Sequence, residues 1–228
     1  MPVVVLDAVK AAASVTPAQG RLCDILKYAA IASCLLICIF AWARARKPGA
    51  PQGEAPDPLF RAARIQTIVF CLTLAADFFL LFTPFAEAGL FIFFGAHMAA
   101  LIRYKPKWAI PVGIFAAAAF CAALIAAPRL FRMDAPFSLF LAACSCYVVL
   151  IASVTASALF AKQPRANALC SRLGMLLFLA CDVNVAIFNA GEPGHPPHTA
   201  AIVLMWLFYL PAQTLLALSA CKWYTKAL

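Results

Sequence analysis

Charge is what this sequence has least of, negative charge above all. Lys, Arg, Asp and Glu make up 12% of the 228 residues, hydrophobic residues make up 65%, and the mean hydropathy is +0.93. Soluble domains carry about 25% charged residues, so a water-soluble globule is excluded. No C-x-x-C pair occurs among the ten cysteines, nearly all of which fall in apolar runs, and Cys144 and Cys146 of "CSC" point to different faces of a helix. A disulfide framework or thiolate metal site is therefore not expected, and the cysteines read as small apolar filler. The extreme N-terminus lacks the basic segment that opens a signal peptide, so residues 1–22 are expected to stay in the chain. Neither an internal repeat nor half-to-half symmetry is visible, which argues weakly against transport.

What is present is apolar length. A helix crosses about 30 Å of hydrocarbon in roughly 20 residues, and suitable runs recur near residues 25–43, 65–82, 86–104, 108–127, 136–161, 168–189 and 199–221. The expected fold is all-α: one polytopic transmembrane helical bundle over residues 1–228, with seven clear spans. Residues 1–22, apolar but broken by Asp7 and Lys10, stay open between a short interfacial helix and an eighth span. Residues 44–64 read as the one long loop, from their Pro, Gly and charges. Short connections elsewhere force successive helices antiparallel.

The net charge of +9 does not point to nucleic acid, because the basic residues sit between spans and form no stripe interleaved with exposed aromatics. They report orientation instead. Arg44, Arg46, Lys47, Arg61 and Arg64 fill the first loop, Arg103, Lys105 and Lys107 the third, Lys162, Arg165 and Arg172 the fifth, and Lys222 and Lys226 the C-terminus. The positive-inside rule makes these loops and the C-terminus cytoplasmic. The expected location is a multi-pass site in a bacterial inner membrane or the endoplasmic reticulum.

Of the nine acids, Asp7, Asp24, Glu54, Asp57, Glu87, Asp134 and Glu192 fall in loops or at helix ends, which leaves Asp77 and Asp182 inside spans. An ionisable group at membrane depth costs roughly 2.5–3.5 kcal/mol on insertion scales and normally faces a bundle interior or wet cavity. Asp77 lies 13 residues beyond Arg64 and Asp182 lies 10 beyond Arg172. At about 1.5 Å per residue the two depths agree within roughly 5 Å. His97, Tyr147, Tyr209, Gln213, Asn184 and Asn189 fall at similar depth, with Tyr209 and Gln213 on one face at i, i+4 and Asn189 sharing the Asp182 face at i+7. A polar pocket is expected. The plainer reading of each residue is interhelical hydrogen bonding, and for "FIFF" a lipid-facing or packing surface. "HPPH", with His195 and His198 in an outer loop, looks like half a zinc site, but its prolines are expected to forbid a helix there and no third ligand is clear. No metal is expected.

Four segments carry a resemblance: "LAADFFLLF", "GLFIFFGAHMAALIRY", "LGMLLFLACDVNVAIFNA" and "FYLPAQTLLALSA". In these, and in their spacing over roughly residues 25 to 221, the chain resembles the lysoplasmalogenases, the YhhN-like integral membrane hydrolases. Lys27 in "ILKYAAIASCLL" stands where that family usually carries a lysine before an early span. This sequence has Ala76 for the usual glycine before the first aspartate, Cys181 for the serine before the second, and Phe208 for the first tyrosine of a pair. It also has Tyr28 for the proline after the lysine, and Ala100 for a tyrosine three residues past the histidine. The resemblance implies eight helices and hydrolysis of the vinyl ether bond of a lysoplasmalogen to a fatty aldehyde and a glycerophospho-ethanolamine or -choline.

An enol ether is cleaved by protonating carbon to an oxocarbenium-like ion that water captures, which suits one protonated and one ionised carboxyl group. Burial and mutual repulsion let two carboxyls share a proton at neutral pH. Asp77 and Asp182 are the expected acid and base, with neither role assigned to either. His97, Tyr147, Tyr209, Gln213 and Asn189 are the expected substrate or carboxylate contacts, and Lys27 a contact for the phosphate head group. No cofactor is required, and the expected partners are the lysophospholipid substrate and membrane lipids. The alternatives are a proton-coupled lipid or small-molecule transporter using the same acids, a metal-dependent hydrolase using His97, His195 and an aspartate, and a purely structural membrane protein.

Overall fold

A computed structural model describes residues 17–45, 57–131, 135–190 and 196–223. Among the described residues seven helices follow one another: α1 (Pro17–Ala45), α2 (Pro58–Phe82), α3 (Ala86–Tyr104), α4 (Pro106–Phe131), α5 (Ala135–Leu159), α6 (Arg165–Ala190) and α7 (Pro196–Leu218). The described residues contain no strand. Six of these described helices are long and apolar enough to cross a membrane. The exception is α3, whose apolar part, Ala88–Tyr104, falls just short of that length. The chain is thus a polytopic helical bundle, with a shorter third segment than seven equal spans required.

Helix ends depart from the hydropathy boundaries where local chemistry extends them. The first helix begins at Pro17, so residues 17–22 continue into the first span, while residues 1–16 lie outside the described chain. The expected loop 44–64 also ends early, because α2 starts at Pro58. Asp57 caps it by accepting from the Leu59 amide at 2.9 Å, and Pro58 fits the first turn, where a missing N–H costs nothing. The same tolerance corrects the reading of "HPPH": Pro196 and Pro197 open α7, and His198 lies in its first turn.

Packing closes a ring. The first helix packs on α2 and α7, α2 on α3, α3 on α5, α5 on α6, and α6 on α7, while α4 lies outside against α3 and α5. Large apolar side chains such as Ile110, Ile114 and Phe115 on α4 and Phe40 on α1 stay exposed, as hydrocarbon-facing surface should. Two ring contacts are close enough to involve backbone. A Cβ on Gly89 would stand 2.9 Å from the Ala76 carbonyl oxygen, and one on Gly174 would stand 3.2 Å from that of Ala212. Small residues allow such approach between membrane helices. Both contacts fall one residue from a polar side chain that faces the ring interior, Asp77 and Gln213.

Candidate active site

Each of the six ring helices brings a polar side chain to the interior: Lys27 from α1, Asp77 from α2, His97 from α3, Tyr147 from α5, Asp182 from α6, and Tyr209 with Gln213 from α7. The carboxylates form two arms. Asp77, 5% exposed, accepts a hydrogen bond from the Tyr209 hydroxyl at 2.8 Å. Asp182, half-buried, accepts one from the Tyr147 hydroxyl at 2.9 Å. The Tyr147 oxygen also lies 3.0 Å from His97 Nε2. With the phenol proton committed to Asp182, His97 Nε2–H is the donor in that contact. His97, Tyr147 and Asp182 thus form a chain of hydrogen bonds across α3, α5 and α6.

The arms converge. The Tyr147 hydroxyl and the Cys181 thiol lie within electrostatic range of both carboxylates. Between the arms stands Phe178, one turn before Asp182, with its ring centroid 5.5 Å from that of His97 and 5.7 Å from that of Tyr209. Phe93 packs beside His97 at 6.2 Å, so "FIFF" supplies a wall of the site while its Phe91 stays exposed. A polar cluster walled by aromatic rings in an apolar bundle strengthens each hydrogen bond and makes any unmet one expensive.

The remaining expected residues divide. Gln213, 2% exposed, approaches the Tyr209 hydroxyl, yet its Nε2 lacks a partner in hydrogen-bond geometry. Lys27 is buried beside the site, its Nζ 4.1 Å from the centroid of the Trp206 ring and 3.7 Å from Asp24 Oδ1. Trp206 meets Tyr209 edge-on at 5.4 Å, so Lys27 connects to the Asp77 arm through two aromatic rings. Asn184 turns away and donates to the Ala180 carbonyl of its own helix at 2.8 Å, the local back-bonding open to short polar side chains. Asn189 falls in the last turn of α6, with its side chain outside the described part, as are His195 and the His198 side chain. Among the described residues no three metal-ligating side chains gather.

Below the carboxylates a cavity runs toward the end of the bundle that carries Arg64, Arg103 and Arg172, the basic end. Gln66 and Thr73 of α2, His97 and Tyr104 of α3, Phe178 of α6 and Gln213 of α7 are among its lining residues. At that end Arg103 bonds to Gln66 Oε1 and the Tyr104 hydroxyl, and its Nη2 donates to the Ser219 carbonyl at 2.9 Å. Asn167 Nδ2 donates to the Ser219 and Cys221 carbonyls, both at 2.8 Å. Arg103 therefore does more than mark orientation: it ties α3 to α2 and to the end of α7. Gln66 and Thr73 were missed in the sequence, although both sit on the Asp77 face at i−11 and i−4.

No curated protein and no solved structure matches the chain. The YhhN family model matches residues 25–220, a stretch that holds every residue of the two carboxylate arms, and the chain accordingly belongs to the YhhN family, the lysoplasmalogenase family.

Proposed function

We propose that this chain is a membrane-embedded hydrolase that cleaves the vinyl ether bond of lysoplasmalogens, with Asp77 and Asp182 as the acid and base pair. Family membership supports a lysoplasmalogenase-type hydrolase. The observation that supports the chemistry is that each of the two intramembrane carboxylates is held by a phenol from another ring helix.

One carboxyl group gives its proton to the outer vinyl carbon, and the ether oxygen shares the resulting positive charge as an oxocarbenium-like ion. The other carboxylate takes a proton from water as the water oxygen bonds to the charged carbon. The hemiacetal then collapses: its hydroxyl proton returns to the first carboxylate, the carbon–oxygen bond to glycerol breaks, and the second carboxyl group protonates the departing oxygen. The products are a fatty aldehyde and a glycerophospho alcohol, and both carboxyl groups recover their starting states. A carboxylate beside an oxocarbenium-like centre also stabilises it by charge, as in glycoside hydrolysis. The tyrosines fix the orientation of each carboxyl group, and His97 holds Tyr147. Lys27 offers a cation for the phosphate beside the Asp77 arm.

Protonation at carbon leaves an isotopic record. Hydrolysis in deuterium oxide by purified protein is expected to give aldehyde with one deuterium at the carbon next to the carbonyl. Aldehyde without that deuterium contradicts the carbon-protonation mechanism. Lipid or proton flux in proteoliposomes with no aldehyde at all favours a transporter instead.

A further inference from the structure

The wall of the cavity beneath the carboxylates is mostly apolar, yet Gln66, Thr73, His97, Tyr104 and Gln213 also line it, and the buried Gln213 Nε2 has no partner in hydrogen-bond geometry among the described residues. An unmet buried amide costs about 1–3 kcal/mol, so such a group ordinarily holds water. The space open to the centre of a water molecule is about 20 Å³, and one bound water needs roughly 10–15 Å³ by that measure. Pockets that enclose a drug-sized ligand run to about 300–1,000 Å³, so this space suits water and not a whole lipid.

Direction follows from the helices. Gln213 lies one turn beyond Tyr209, Thr73 one turn before Asp77, and Gln66 and Tyr104 further toward the basic end, where the Arg103 guanidinium sits on Gln66 and the Ser219 carbonyl. Thr155 Oγ1, two turns from Tyr147 toward the same end, is also buried without a partner. Unmet polar atoms thus fall on the basic side of the carboxylates.

We infer that this cavity is a water site, and that it supplies the hydrolytic water from the basic end, by a route separate from the lipid's. The supply role rests on the hydrolase reading; the presence of water does not. Gln213 Nε2 donates to the water nearest the carboxylates, and Arg103 closes the far end. Lipid reaches the carboxylates from another direction.

The test pairs two readouts on purified wild-type protein and on Ala96→Leu, which fills the cavity wall next to His97. Hydroxyl-radical footprinting reads water directly, because Met175, a buried lining residue, is oxidised where bound water is activated beside it. Strong Met175 oxidation is expected in wild type and little in Ala96→Leu. Kinetics on a lysoplasmalogen should show kcat about tenfold lower in Ala96→Leu with KM unchanged, and Ala96→Val intermediate in both readouts. Ala96→Val also keeps the test open should the leucine variant not fold. An unoxidised Met175 in folded wild type overturns the water site. A dry variant with undiminished kcat overturns the supply role. Wild type that oxidises Met175 and releases no aldehyde overturns the hydrolase reading and leaves the water site standing.

Discussion

The phenols of Tyr147 and Tyr209 are the side chains on which the two carboxylates depend most directly. Tyr209→Phe removes the donor to Asp77 and leaves a buried carboxyl group short of a partner, at about 1–3 kcal/mol. The expected result is a lower melting temperature and a kcat reduced about tenfold or more, read by calorimetry and aldehyde release on the same preparation. Tyr147→Phe should behave alike on the Asp182 arm, with one addition. Among the described residues the hydrogen bonds link His97 to Asp182 through Tyr147, so His97→Ala should cost little more in a Tyr147→Phe background than Tyr147→Phe alone. Independent, additive losses in that double-mutant cycle contradict the hydrogen-bonded chain. Asp77 and Asp182 were legible in the sequence because hydrocarbon makes a carboxylate rare and conspicuous. Gln66 and Thr73 were not picked out, since an uncharged polar residue in a span is common and only its register with Asp77 marks it. In linear order Arg103 reads as a topology charge, since nothing there shows which side it reaches toward.

At the level of helices, each expected span appears as a helix, because a run of apolar residues in a bilayer has few alternatives to helix, but only six of the seven are long and apolar enough to cross, α3 falling short. Their ends were less legible. Hydropathy finds where hydrocarbon begins, whereas Asp57 and the prolines at 58, 196 and 197 decide where helix begins. The glycine contacts were also invisible beforehand, since they depend on which helices become neighbours. They carry a prediction. Gly174→Ala puts a methyl group 2.9 Å from Leu216 Cγ and 3.2 Å from the Ala212 carbonyl, so α6 and α7 must part. A loss of about 1–3 kcal/mol is expected, visible as a lower midpoint in detergent denaturation, together with reduced turnover because Gln213 moves with α7. An unchanged midpoint contradicts the close approach.

For the whole molecule, the ring explains why residues so distant in sequence meet. Asp77 on α2 and Asp182 on α6 are each held by a phenol from another ring helix, Tyr209 of α7 and Tyr147 of α5, with the Phe178 ring between the two arms. Depth was calculable from residue counts, but convergence required the order of helices around the ring. That order also leaves α4 outside, where its exposed isoleucines and phenylalanine suit lipid. The most direct measurement replaces each carboxylate with its neutral isostere, Asp77→Asn and Asp182→Asn, and follows aldehyde release from lysoplasmalogen micelles by folded, purified protein. Each variant is expected to lose at least about a hundredfold in kcat. Turnover near wild type in either one contradicts a reaction run by the pair.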